Sequence, residues 1–306
     1  MSLEEPFGSK EEDWVRLIGI IKKGNCLPFI GPGLCRGCYL PKAKLAEKWA
    51  KSYDYPFEDK SDLARVAQFM EVKADAYTES KEQLRTEFSS ESNPPNFKDE
   101  CEPHRVLADL HFPIYITTNY DNYMKDALDG IRTKIARKDY CNWRKPERVQ
   151  QQLQEHRMSG QVSQPISIAN PLVFHLYGHI DAIESLILSE MDYMKFLINV
   201  VKYPCIIPAD VQSAMVSKAM LFLGYDLDDW DFRILLAVLD RFVESQFAGM
   251  RHVSVQLAPC DENAAPPQQE KAREHFRHYL DKNFNVSVYW GTCEDFTREL
   301  RRRWKD

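Results

Sequence analysis

An α/β fold with a mainly parallel sheet, helices on both faces and a helical insertion is what this sequence predicts, and three observations predict it. Short apolar runs of strand length alternate with longer stretches whose apolar residues recur every three or four positions. Three of the apolar runs end in glycine or in polar side chains: Phe29-Ile30-Gly31-Pro32-Gly33, Ile116-Thr117-Thr118-Asn119-Tyr120-Asp121 and Leu223-Gly224-Tyr225-Asp226. Strands of a parallel sheet end in this way where they open onto a ligand crevice. Between the first two of these runs, a stretch from about 40 to 110 is helical in pattern and reads as an insertion over the sheet.

The chain starts with an amphipathic helix over 11–23, carrying Trp14, Leu17, Ile18 and Ile21 on one face, and Gly24-Asn25 stops it. Residues 26–30 follow as a short buried strand. The next helix spans 41–52, with Pro41 in the tolerated first turn and Leu45, Ala46 and Trp49 on one side. Residues 61–90 are helical in pattern through Leu63, Val66, Ala67, Met70, Leu84 and Phe88, and Ser92-Asn93-Pro94-Pro95-Asn96 is a loop. A short helix over 103–110 leads into a strand over 114–118, then a helix over 123–128 and a short strand within 132–140. The Gln-rich stretch 142–165 is a helix or a loop, 172–177 is a strand ended by Gly178, and 189–201 is a helix. The strand 220–223 feeds an acidic run over 226–231 and a helix through Phe242. A strand at 252–257, a polar loop at 259–269, a helix at 270–282, a strand at 286–290 and a helix from Glu294 complete the order. There is no internal repeat. This order implies one Rossmann-like domain over 1–306, with the insertion at about 40–110 and closing α/β elements at about 250–306.

With 306 residues, 44% of them hydrophobic and 28% charged, the chain can bury a large core without disulfides or metal. A net charge of -6 argues against a general nucleic-acid binder. Eight scattered cysteines are no disulfide scaffold and suit reduced thiols, so a cytoplasmic location is expected. No apolar run approaches the roughly 20 residues that span a bilayer, and the acidic start Met1-Ser2-Leu3-Glu4-Glu5-Pro6 is not a secretory signal. Cys35-x-x-Cys38 lacks the second ligand pair of a structural zinc site, so no metal is expected. The basic stretch 298–305 reads as a solvated helix end, where cations favour the dipole.

The turn Gly31-x-Gly33-x-x-x-Gly37 is one residue longer than the dinucleotide fingerprint. The acidic ribose ligand expected about 20 residues on would fall near Asp54, inside the insertion. An ordinary dinucleotide dehydrogenase is therefore a poor match, although the turn still offers backbone N–H groups to a phosphate. Asn119, next to Thr118, carries both a donor and an acceptor and would hold a ribose hydroxyl or a water. Asp121 either supports that group or caps the following helix. His175 and His179 bracket Leu176-Tyr177-Gly178. On an extended strand His175 and Tyr177 share a face, and a histidine at a strand end is a general base or a buried hydrogen-bonded residue. At the fourth strand end, Asp226 or Asp228 would receive ribose hydroxyls, or the acidic run simply caps the next helix.

Taken in order, the Phe29–Gly33 loop, Thr117-Thr118-Asn119-Tyr120-Asp121, Tyr177-Gly178 and Leu223-Gly224-Tyr225-Asp226-Leu227 resemble the motifs of the sirtuin-like superfamily, over roughly 12–240. The likeness is to its bacterial NAD-hydrolase branch found in anti-phage defence. That resemblance implies NAD as substrate. Gly31, Pro32, Gly33 and Leu34 would lie against the pyrophosphate, Gly224, Tyr225 and Asp226 near the adenosine ribose, and Thr118, Tyr177 and Gly178 beside the dinucleotide. Asn119 would hold the nicotinamide ribose or the attacking water. The family's base is a histidine directly before the glycine. That position is Tyr177 here, so His175 is the substitute and His179 the second choice. The four-cysteine zinc ribbon of protein deacetylases is missing, and Cys38-Tyr39-Leu40-Pro41-Lys42 replaces their acidic-aromatic-arginine segment.

The expected activity is an NAD glycohydrolase, an NAD-depleting effector that cleaves the nicotinamide–ribose bond with Asn119, His175 and Asp121 as catalytic residues. Such an enzyme calls for regulation, through a homo-oligomer, a partner or a fused sensor domain. The alternatives are a sensor that binds NAD or ADP-ribose without turnover, and an NAD-dependent protein deacylase.

Overall fold

The computed structural model describes residues 5–90, 93–159, 164–226, 250–257 and 266–305, together with Phe232 and Leu236. Its strands are β1 (Cys26–Ile30), β2 (Ile114–Thr117), β3 (Arg137–Tyr140), β4 (Leu172–His175), β5 (Ala219–Leu223), β6 (His252–Gln256) and β7 (Val286–Trp290). They form one 7-stranded sheet in the order β3-β4-β2-β1-β5-β6-β7, and every neighbouring pair is parallel. The helices among the described residues are α1 (Glu11–Lys22), α2 (Lys42–Ser52), α3 (Leu63–Lys73), α4 (Glu79–Ser90), α5 (Pro103–Asp109), α6 (Tyr123–Asp129), α7 (Pro146–Ser159), α8 (Glu190–Lys202), α9 (Ala209–Ser217), α10 (Pro266–Phe284) and α11 (Cys293–Lys305).

Parallel strands need crossover connections, and these cover both faces of the sheet. The strands are accordingly apolar on both sides, with a period of two. Leu27, Phe29, Ile114, Ile116, Leu172, Phe174, Met220, Phe222, Val286 and Val288 face one core. Cys26, Ile30, Tyr115, Val173, Leu221, Leu223, Val253 and Val255 face the other. The first core is closed by Phe196 and Val200 of α8, Val211 and Met215 of α9 and Leu280 of α10. Trp14, Leu17 and Ile21 of α1, Leu107 of α5, Met124 and Leu128 of α6, and Phe296 and Leu300 of α11 close the second. Strand β6 is apolar on one side only, with His252, Ser254 and Gln256 buried on the other, and β3 is an edge strand of largely exposed, mostly charged residues, which blunts the edge.

Helices α2, α3 and α4 build a cluster of their own, with Leu45, Trp49, Val66, Met70 and Leu84 packed against Leu186 and Leu188. A buried ion cluster ties that insertion to the sheet layer. Lys81 of α4, fully buried, sits 2.6 Å from Glu71 of α3 and 2.8 Å from Asp192 of α8. Asp192 also pairs with Arg144. Helix α5 packs in the second sheet core instead.

Three local expectations differ from the structure. The strand at 172–177 stops at His175, where its partner β2 also ends at Thr117, and Gly178 at φ +88° turns the chain. Helix α10 begins at Pro266, inside the stretch expected to be loop, because prolines are tolerated in a first helical turn. Helix α9 was not anticipated: it is short and buries only Val211, Ala214 and Met215. The helix expected through Phe242, with the acidic run after Asp226, lies outside the described residues except for Phe232 and Leu236, which are buried in the first core.

Candidate active site

From β1 the chain moves to β2 on one side of it and later returns to β5 on the other. The C-terminal ends of β2, β1 and β5 therefore surround a topological switch point, where open parallel sheets hold their ligands. The runs ending in Gly31–Gly33, in Thr118–Asp121 and in Gly224–Asp226 reach these ends, and His175 lies on the adjoining end of β4.

The two glycine loops lie against each other. Gly31 N–H donates to Leu223 O and Gly33 N–H to Gly224 O, both at 2.8 Å. A Cβ on Gly31 would stand 2.7 Å from Gly224 O, and one on Gly33 would stand 2.9 Å from Gly224 Cα. Gly224 itself sits at φ +76°, and its Cβ would stand 2.4 Å from Leu34 N. Close loop-to-loop approach thus requires these glycines, and the amide groups of Gly31 and Gly33 are engaged within the protein. Pro32 starts a short 3-10 turn, Pro32–Cys35, in which Leu34 is buried. Tyr225 folds its ring against Phe232, 5.2 Å between centroids, and its hydroxyl meets Ile30 O and Thr118 Oγ1, each at 3.2 Å. Asp226 is exposed.

Past β2, Thr117 Oγ1 donates to Ile30 O at 3.1 Å and accepts from Asn119 N–H at 3.0 Å, which pins the turn. The Asn119 amide nitrogen donates to Gly31 O and to Cys35 Sγ, each at 3.2 Å. Its Oδ1 is buried without a partner. His175, at the end of the neighbouring β4, faces the same turn. Its Nδ1 lies 3.0 Å from Asn119 O, so the proton belongs on Nδ1, and Nε2 is left buried without a partner. Burial, helped by His179, pushes the His175 pKa down to about 3, so the ring is neutral near pH 7. Two buried acceptors without donors thus lie on the turn after β2 and at the end of β4, where a hydrogen-bonding guest would satisfy them.

His179 is otherwise placed. Its ring stands 4.5 Å from that of His175, but Nε2 meets Asn122 Oδ1 at 2.9 Å and Nδ1 accepts from Asp181 N–H at 3.1 Å. Both nitrogens are engaged, and burial and Lys138 lower its pKa to about 4. Tyr177 does not share a face with His175, because the strand has already ended. Its ring packs edge-on against Tyr193 and Phe196 in the first core, with centroids 5.7 and 5.6 Å away. Gly178 is required by its turn: a Cβ there would stand 2.2 Å from Ser185 O.

Asp121 carries out the cap role left open by the sequence. Its Oδ1 accepts from Tyr123 N–H at 2.9 Å at the start of α6, while Oδ2 lies 3.6 Å from Cys35 Sγ. Burial raises its carboxyl pKa. The same cluster contains His104, with Nε2 3.6 Å from Cys35 Sγ and Nδ1 2.7 Å from Glu102 Oε1. Neither His104 nor Glu102 is singled out by the sequence, and Cys35 is read there only as half of a Cys-x-x-Cys pair of zinc or redox type. Among the described residues no group of three or more His, Cys, Asp or Glu is placed to hold a metal ion. Nor is any described helix long and apolar enough to cross a membrane. The basic end of α11 is largely spent on ion pairs, Arg303 with Glu11 and Glu299, and Arg301 with Glu100.

Comparison with known proteins bears on this site. Proteins named NAD(+) hydrolase ThsA from Acinetobacter baumannii, Enterococcus faecium and Bacillus cereus are 23%, 23% and 26% identical over 72%, 71% and 71% of this chain. The matched segment is 40% of each of those proteins, so the chain spans about two fifths of the relatives it matches. A family model described as SIR2-like domain matches residues 113–288, which include Asn119, Asp121, His175 and Gly224. With more than half of its length matched and a parallel sheet that brings those four residues to one edge, this chain belongs to the SIR2-like domain family.

Proposed function

We propose that the protein is an NAD glycohydrolase that breaks the nicotinamide–ribose bond to give nicotinamide and ADP-ribose. The observation that carries this reading is the pair of orphaned buried acceptors, Asn119 Oδ1 just past β2 and His175 Nε2 at the end of the neighbouring β4, on residues joined by the His175 Nδ1 contact to Asn119 O. The ThsA relatives are named NAD(+) hydrolases, which supports hydrolysis of NAD as the reaction.

In the proposed reaction the C–N bond lengthens first, nicotinamide departs with the bonding electrons, and positive charge grows on the ribose. Water adds to the opposite face of the sugar and loses a proton. Asn119 Oδ1 accepts from that water or from a ribose hydroxyl, and His175 Nε2 accepts the water's proton. A base with a pKa of about 3 is weak, but water attached to an oxocarbenium-like carbon is strongly acidified. A neutral ring beside a developing cation is also better than an imidazolium, which would repel it. Asp121 supports the arrangement through the α6 cap and Cys35.

NAD would run from this pair across Gly31, Pro32, Gly33 and Leu34 towards Gly224, Tyr225 and Asp226, with Thr118, Tyr177 and Gly178 flanking it. Gly31 and Gly33 lie against Gly224, so this proposed path requires the two loops to part for the pyrophosphate. The wider role follows the same reading: a cytoplasmic, homo-oligomeric effector that depletes NAD in anti-phage defence, held in check by a partner or a fused sensor domain. A sensor that binds without turnover is the second reading, favoured by Tyr177 where the family's histidine is expected and by its packing into the core.

The test is nicotinamide release from NAD by the purified protein beside Asn119→Ala and His175→Ala. Loss of an acid–base or orienting group costs about 100- to 10,000-fold, so both variants should fall by that much. Full activity in Asn119→Ala would sink the assignment, and NAD binding without release would identify the sensor.

A further inference from the structure

The cluster of Cys35, His104 and Asp121 lies buried beside Asn119. Cys35 closes the 3-10 turn that follows the first glycine loop, and it is 6% exposed. Its sulfur stands 3.2 Å from Asn119 Nδ2, 3.6 Å from His104 Nε2 and 3.6 Å from Asp121 Oδ2. The two ends of an asparagine amide have nearly the same shape, so only their hydrogen-bond partners decide which end points at the guest. Gly31 O can only accept, which favours the amide nitrogen on its side. The Cys35 thiol is ambiguous, because a thiol that pointed its proton at Asn119 would favour the reverse orientation.

His104 and Asp121 remove that ambiguity. Glu102 Oε1, 2.7 Å from His104 Nδ1, draws a ring proton to that nitrogen, and Nε2 of a neutral ring is then an acceptor. Asp121 Oδ2 is a second acceptor on the same side. With the S–H drawn towards either of them, the sulfur turns its lone pairs to Asn119, and both protons of the amide nitrogen are satisfied. Burial holds the thiol protonated, well above its ordinary pKa, so a proton to direct is always present.

We infer that Cys35 is a positioning residue: its sulfur, oriented by His104 and Asp121, holds the Asn119 amide with Oδ1 turned towards the reacting ribose. Its kinetic consequence rests on the hydrolase reading, but the orientation itself does not.

Side-chain amide exchange in 15N-labelled protein reads the orientation, and nicotinamide release reads its consequence. The Asn119 NH2 signals are identified by their loss in Asn119→Asp. In the wild type and in Cys35→Ser, which keeps a donor and an acceptor, both protons should exchange slowly. In Cys35→Ala one of them should exchange at least about tenfold faster, the scale of one lost buried hydrogen bond. The same variant should lose about tenfold in kcat with KM for NAD within about twofold, and Cys35→Ser should recover most of it. Unchanged exchange in Cys35→Ala overturns the inference whatever the kinetics, as does an active Cys35→Ala with the wild-type kcat. Faster exchange in Cys35→Ala, combined with a wild type that releases no nicotinamide, upholds the positioning role and removes the hydrolase reading instead.

Discussion

His175 gives up its ordinary basicity to sit where it does. Its pKa is held near 3, against about 6.5 in an unfolded chain. Between those values the unfolded chain binds a proton that the native ring refuses, so native stability is complete above about pH 6.5 and is lost as pH falls. His179 and His252, both lowered to about 4 by burial, act in the same direction. Asp121, whose carboxyl is raised, opposes them once the medium is acid enough to protonate it. Thermal midpoints should therefore be flat near pH 7 to 8 and fall between about pH 6.5 and 4. His175→Gln should flatten part of that slope, and an equal slope in the variant would assign it elsewhere. A second residue-scale expectation concerns Gly178, at φ +88° with Ser185 O in the space a Cβ needs. Gly178→Ala should lose about 2 kcal/mol or more in urea unfolding, from left-handed strain plus displaced backbone.

At the scale of elements, the buried ion cluster is what couples the insertion to the sheet layer. Lys81 has no exposure, and it faces carboxylates from α3 and α8 together. Lys81→Met keeps the volume but leaves Glu71 and Asp192 buried beside each other, with Arg144 to compensate only the latter. Breaking a buried pair in this way costs about 3–5 kcal/mol. Chemical denaturation should report that loss, and a neutral result would mean that water reaches the cluster. Such a contact is invisible in the sequence, where Lys81 sits in an ordinary polar helix. The strands were legible for the opposite reason: runs such as Leu27-Pro28-Phe29-Ile30 are apolar on both sides and bounded by breakers. Helix α9 was not, since its three buried residues make too weak a period beside a neighbouring strand.

For the molecule as a whole, layer composition followed from the sequence but neighbour relations did not. Alternating strands and helices imply a parallel sheet, yet nothing in Arg137-Lys138-Asp139-Tyr140 says that it lies outside β4 rather than beside β2. The candidate site was legible to the extent that glycines and polar residues ended strands, as at Gly31, Asn119 and Gly224. It was not legible where tertiary contact chose among chemically similar groups. Tyr177 and His175 are two residues apart, and only the turn at Gly178 sends one into the core and leaves the other at the site. His104 could not be found at all, since a histidine in a short helix carries no signal until the fold sets it against Cys35.

The central strand of the sheet is also the first to be synthesised. Phe29 and Ile30 of β1 find one neighbour in β2 and the other only in β5, which the ribosome delivers far later. Until then a strand that is buried on both faces and paired on both edges in the finished protein is an adhesive edge on a growing chain. Parallel pairing at such separation makes folding slow and leaves the incomplete chain prone to aggregate. The strand that carries the first glycine loop is therefore also the one on which the yield of soluble protein depends during synthesis.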